Sequence, residues 1–135
     1  MQNFTCCLIT ETLNDVVVTG FINANNKNQS IFHPLYDRLF FIFDQFIYQI
    51  YLDDGGFIQA NIIDKINLWF DIDDDDQFLQ MSIYSQMFKT EQEIKVLKAN
   101  YQHTSLSSLF ITYIEGDIER DIVLDPRHFF GFTFY

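Results

Sequence analysis

Apolar and polar residues alternate along residues 66–72, INLWFDI, and again along 77–85, QFLQMSIYS. Four consecutive aspartates, Asp73, Asp74, Asp75 and Asp76, separate the two runs. Period-two alternation belongs to half-buried strands, and an Asp cluster between two such runs marks a turn, so the stretch predicts a β-hairpin. In a symmetric register Phe70 faces Leu79, Leu68 faces Met81 and Ile66 faces Ile83, placing three apolar pairs on one face. The opposite face takes Asn67, Trp69 and Asp71 against Ser82, Gln80 and Phe78. The only Trp of the chain therefore points away from the core-building face, beside the densest negative charge.

The same criterion predicts strands over 4–10 and 16–22, the second rich in β-branched residues, with ETLND turning the chain between them. Residues 23–30, NANNKNQS, form a polar loop. A helix is expected over 34–52. Pro34 suits its first turn and Asp37 its N-terminal dipole, while Leu39, Phe43, Phe46 and Ile50 recur at spacings of three and four opposite Arg38, Asp44, Gln45 and Gln49. The run LFFIF alone would also fit a strand. DDGG at 53–56 stops that helix, and residues 57–64 fit a strand better than a helix. A second helix is expected over 90–101, because Thr90 and Glu93 have capping-box spacing and Ile94, Leu97 and Tyr101 share a face. Residues 109–115 and 119–124 predict a hairpin about Gly116 and Asp117. Asp125 and Pro126 turn the chain into a last aromatic strand over 129–135. The sum is one α+β domain spanning 1–135, mostly antiparallel sheet with about two helices, over 34–52 and 90–101.

Composition narrows the function classes. Sixteen Phe and seven Tyr in 135 residues supply a dense core without disulfide staples. A net charge of −11 argues against nucleic acid and anionic membrane as partners, since both are held by clustered Lys and Arg, and favours a basic protein partner. The adjacent Cys6 and Cys7 form no disulfide framework and suit a reducing compartment. No stretch resembles a signal peptide or a membrane span, so a cytoplasmic protein is expected.

Candidate chemistry is sparse. Asp71, Asp73 and Asp75 stand at alternate positions as in a calcium loop, but an EF-hand opening at Asp71 needs Gly where Asp76 stands and Glu where Ser82 stands. The three histidines have no metal-ligand spacing, and the chain carries no GxSxG, HExxH or CxxC motif and no phosphate-cradling glycine loop. No catalytic residue, cofactor or metal is expected. Trp69 admits two readings: core, if another element covers the outer face, or an interface anchor. In the second, Trp69 and Phe78 form the anchor and Asp71, Asp73, Asp74, Asp75 and Asp76 the acidic rim that steers a basic partner.

The size, the acidic α+β build, the LWFDIDDDD hairpin and the ending LDPRHFFGFTFY together resemble the immunity proteins of bacterial polymorphic-toxin systems, including contact-dependent inhibition. The resemblance implies a small cytoplasmic protein that binds and blocks one cognate toxin. A basic nuclease, whose cleft must attract phosphates, is the natural target for clustered carboxylates. The alternative is a mobile-element protein whose acidic surface imitates nucleic acid.

Overall fold

The computed structural model describes residues 1–23 and 31–135, so the expected polar loop lies outside them apart from Asn23. Phe4, Cys7 and Leu8, spaced by three and four, are the buried side of a first helix, α1 (Gln2–Thr10). This corrects the strand expected over 4–10: three buried positions on one helical face outweigh the short apolar run. The β-branched segment is a strand as expected, β1 (Leu13–Ile22).

The helix expected over 34–52 is instead two strands, β2 (Phe32–Phe43) and β3 (Ile47–Leu52). They pair antiparallel with Ile42 opposite Ile47, and Phe43 N–H donates to the Phe46 carbonyl at 3.0 Å to close the turn. The apolar run misleads because β2 is a central strand covered on both faces. Leu39, Phe40 and Phe41 are at most 1% exposed, so the alternation that would reveal a strand is erased. DDGG turns the chain from β3 into β4 (Ile58–Ile63), the strand expected there, with Gly56 at φ 84°. Asp53 binds this turn, accepting from the backbone N–H groups of Phe57 and Gly55. Those bonds, the one from Phe57 foremost, hold its carboxyl below the usual range.

After a long connection come β5 (Gln77–Ser82) and a short helix, α2 (Tyr84–Phe88), which the sequence pattern does not disclose. The second expected helix is likewise a strand, β6 (Lys95–Tyr101). Thr90 accepts from Gln92 N–H at 3.0 Å and donates to Glu115 at 2.6 Å. It therefore shapes a turn into β6 and does not cap a helix. The hairpin about Gly116 is present as β7 (Leu109–Glu115) and β8 (Ile118–Asp125). Of the expected aromatic strand over 129–135 only β9 (Thr133–Phe134) forms.

The fold is α+β, with two helices and nine strands in two antiparallel sheets among the described residues. One sheet has the order β4-β3-β2-β1-β5 and the other β6-β7-β8-β9. Their inner faces share a core. Val16, Val18, Leu39, Phe41 and Ile50 come from the first sheet, and Val96, Ile111, Tyr113, Ile122 and Leu124 from the second. Helix α1 enters through Phe4, whose ring meets Phe41 and Tyr48 edge-on at 5.1 Å each. Beyond the core, Gly131 forms a parallel bridge with Tyr36, and Phe132 N–H donates to the Tyr36 carbonyl at 2.9 Å, tying the chain end to β2. No helix among the described residues is long and apolar enough to cross a membrane.

Candidate functional site

Strands β4 and β5 form opposite edges of the five-stranded sheet, so residues 64–76 must travel across it. Four strand spacings amount to ~19 Å, well within reach of that length of extended chain. Residues 66–72 are therefore not the first arm of a hairpin. Strand β5 pairs with β1, Val18 opposite Met81 and Phe21 opposite Phe78, and residues 64–76 form a strap over the sheet's outer face. The alternation of the run is not matched by its burial: the neighbours Trp69 and Phe70 are both half-buried against the sheet, while Leu68 is 48% exposed.

Trp69 pins this strap. Its Nε1–H donates to Thr19 Oγ1 at 2.7 Å, and Thr19 on β1 is fully buried. The Arg38 guanidinium, on β2, lies 4.8 Å from the Trp69 ring centre and 5.3 Å from that of Tyr51 on β3, a cation held between two aromatic faces. Arg38 also donates to Gln49 at 3.0 Å. Phe70 meets Trp69 edge-on at 5.0 Å and packs on Phe21 and Phe78. Trp69 and Phe78, expected as diagonal neighbours, are thus joined through Phe70. Under the strap Val17 and Phe40 are 5% and 1% exposed, although both belong to the face turned away from the main core. Trp69 itself is half-buried, a pin with one side open to solvent.

The aspartates divide in two. Asp71, Asp73, Asp74 and Asp75 are exposed. Asp76 is half-buried and belongs to the frame: its N–H donates to the Asp73 carbonyl at 3.0 Å, and its Oδ2 accepts from Asp73 N–H at 3.2 Å. The expected turn is therefore present, and it presents a compact group of carboxylates at the strap's end. Further acid lines a cleft of about 450 Å³, where Asp15, Glu91 and Glu93 stand near the start of β1. Asp15 there accepts from Ser82 Oγ at 2.6 Å. Among the described residues no group of three or more His, Cys, Asp or Glu is arranged to hold a metal ion.

A second surface was not expected. Phe129 and Phe130 are 93% and 85% exposed, the most exposed large apolar side chains described, and their rings meet edge-on at 5.2 Å. The loop that carries them is anchored at its base. Asp125, 3% exposed, accepts from Arg127 Nε and Nη2 at 3.0 Å each and from Arg127 N–H at 2.9 Å. This forked pairing holds the Asp125 carboxyl at about 2, well below its ordinary value. The sequence signal was present: an Asp-Pro turn before the pair and Gly131 after it, at φ 104°, bracket a loop where an aromatic run suggested a strand.

Cys6 is exposed and Cys7 buried, both free. Burial above all, then the charges of Glu11 and Cys6, pushes the Cys7 thiol up to about 11. In comparison with known proteins, the chain matches no family model, no curated protein and no solved structure.

Proposed function

We propose that this protein is an inhibitor by binding, of the immunity-protein kind: it captures a basic cognate toxin in the cytoplasm and occludes its working surface. The observation that carries this is the group Asp71, Asp73, Asp74 and Asp75. These four carboxylates are solvent-exposed and displayed at the end of a strap whose position is fixed by Trp69, Thr19 and Arg38. Like charges crowded at one place repel one another, so their concentration gains nothing for the fold. Toward a basic cleft the same concentration raises the encounter rate by roughly ten- to a thousandfold at low salt. The exposed Phe129 and Phe130 supply what rim charges do not, aromatic area that can be desolvated in a partner's pocket.

The test uses the chain as bait in a lysate of its own host, beside a variant with Asp71, Asp73, Asp74 and Asp75 all changed to Asn. A basic protein retained by the natural chain, weakened in the variant and released by salt is expected. That protein should arrest growth when expressed alone and fail to do so with the chain present. Recovery of no basic protein, or equal retention by the two baits, refutes the proposal.

A further inference from the structure

Arg120 sits on the core-facing side of β8, in the alternation that also turns Ile122 and Leu124 inward. A guanidinium in such a place normally finds a carboxylate. Arg120 has no ion pair among the described residues, and its Nε is buried without a hydrogen-bond partner. A buried donor left unmade costs ~1–3 kcal/mol, so the molecule holds it against a penalty.

The group lines a cleft of about 300 Å³ between α2 and the four-stranded sheet. Lys89 stands at the same cleft, in the residue that closes α2, and its backbone is left-handed at φ 57°. Gly or Asn is the ordinary occupant of that position, so a lysine there is a strained choice that brings a second cation to the cleft. The chain has 8 basic residues against 19 acidic, which makes two cations in one cleft, neither in an ion pair among the described residues, an unusual concentration. The rest of the lining is mixed, with Gln86 and Tyr135 beside the apolar Met87, Ile122 and Phe134. Asp121 borders the cleft, but it is turned to the sheet's other face, where Thr112 donates to it at 2.7 Å. The Tyr113 hydroxyl donates to the Phe88 carbonyl at 2.7 Å, and its oxygen accepts no hydrogen bond from Arg120 Nε. The positive charge of Arg120 is felt there all the same, offsetting part of the rise that burial imposes on the phenol.

We infer that this cleft binds a small organic carboxylate, with Arg120 forking onto the carboxylate, Lys89 closing over it and the apolar body resting on Met87, Ile122 and Phe134. The site lies apart from the acidic turn and does not rest on the toxin-binding proposal. Carboxylate is favoured over inorganic phosphate because one planar fork meets two oxygens, and the apolar part of the lining, Met87, Ile122 and Phe134, offers a hydrocarbon a surface beside that fork.

The probes are phenylacetate and inorganic phosphate, titrated against the full chain with chloride as control, and the readout is the Arg120 Nε–H proton–nitrogen resonance. Phenylacetate should shift that resonance saturably, and phosphate should do so more weakly. Arg120→Lys keeps the charge but loses the fork and with it the resonance; followed by titration calorimetry beside the natural chain, its phenylacetate binding should be weaker at least about tenfold, the loss of one charge-assisted hydrogen bond. Should that variant fold poorly, Lys89→Gly serves independently: relief of the left-handed strain should raise its unfolding midpoint, while phenylacetate binding falls severalfold. A resonance that phenylacetate leaves unmoved up to about 10 mM overturns the inference. So does phosphate binding as tightly as phenylacetate, or a Lys89→Gly variant that binds phenylacetate as the natural chain does.

Discussion

Replacing Trp69 with Ala should loosen the strap and much of the stability with it. A fully buried Trp truncated to Ala costs ~3–5 kcal/mol, and a half-buried one roughly half of that, about 2 kcal/mol. Loss of the Nε1 donor strands the Thr19 hydroxyl, fully buried beneath the ring. Because a lifted strap admits water, the low end of the usual penalty applies, about 1 kcal/mol. The Arg38 guanidinium 4.8 Å from the ring centre adds about 0.5–1 kcal/mol. The total is about 3.5–4 kcal/mol, which in a domain of this size lowers the unfolding midpoint by about 10–15 °C. Urea unfolding followed by far-ultraviolet circular dichroism is the assay, since the substitution removes the only Trp. A cycle sharpens it. Trp69→Phe and Thr19→Val should each destabilise, yet together recover about 1 kcal/mol of coupling, because both ends of the bond are then apolar. If Trp69→Ala unfolds within about 0.5 kcal/mol of the natural chain, the strap is not pinned there and the reasoning fails.

The Asp125 carboxyl titrates lower in the folded chain, at about 2, than unfolded, so its contribution is complete above about pH 4 and disappears as pH falls through 2. Asp125→Asn should flatten stability against pH across that window, read by denaturant midpoints at stepped pH, and an unchanged slope would contradict the pairing. Gly131→Ala forces a side chain into φ 104° with its Cβ 2.4 Å from the Tyr36 carbonyl carbon. It should cost about 3 kcal/mol or more, and hydrogen exchange should show the end of the chain released from β2. Alkylation at pH 8 should consume one thiol quickly, the exposed Cys6, while Cys7, buried and pushed up to about 11, reacts only on unfolding. Two equally fast thiols would show that α1 does not hold Cys7 against the core.

What the sequence disclosed depended on which residues had one face in water. The β7–β8 hairpin alternates cleanly and was legible down to its turn at Gly116. Strand β2 was not, because the strap buries Phe40 on one side while the core buries Leu39 and Phe41 on the other, and no local pattern announces a strap. In β6 the same residues satisfy helical and strand spacing, and pairing with β7 decided between them. The turn at Asp73–Asp76 and the importance of Trp69 were both visible. Trp69's partners were not, since Thr19 and Arg38 lie far away in sequence and meet it only through the crossing. Arg120 gave no signal at all: in sequence it is one counter-charge among Glu119 and Asp121, and only the strand's facing turns it inward.

The strap separates what is held from what is shown. Its anchorage is made by Trp69, Phe70 and the half-buried Asp76, whereas Asp74 and Asp75 make none of the turn's closing hydrogen bonds. Substitutions at such exposed positions usually shift stability by no more than about 0.5 kcal/mol. The tip can therefore change its charge and shape while the fold beneath stays indifferent. A lineage pressed to follow an altered partner has a short stretch of chain on which to vary, and a sheet that takes no notice.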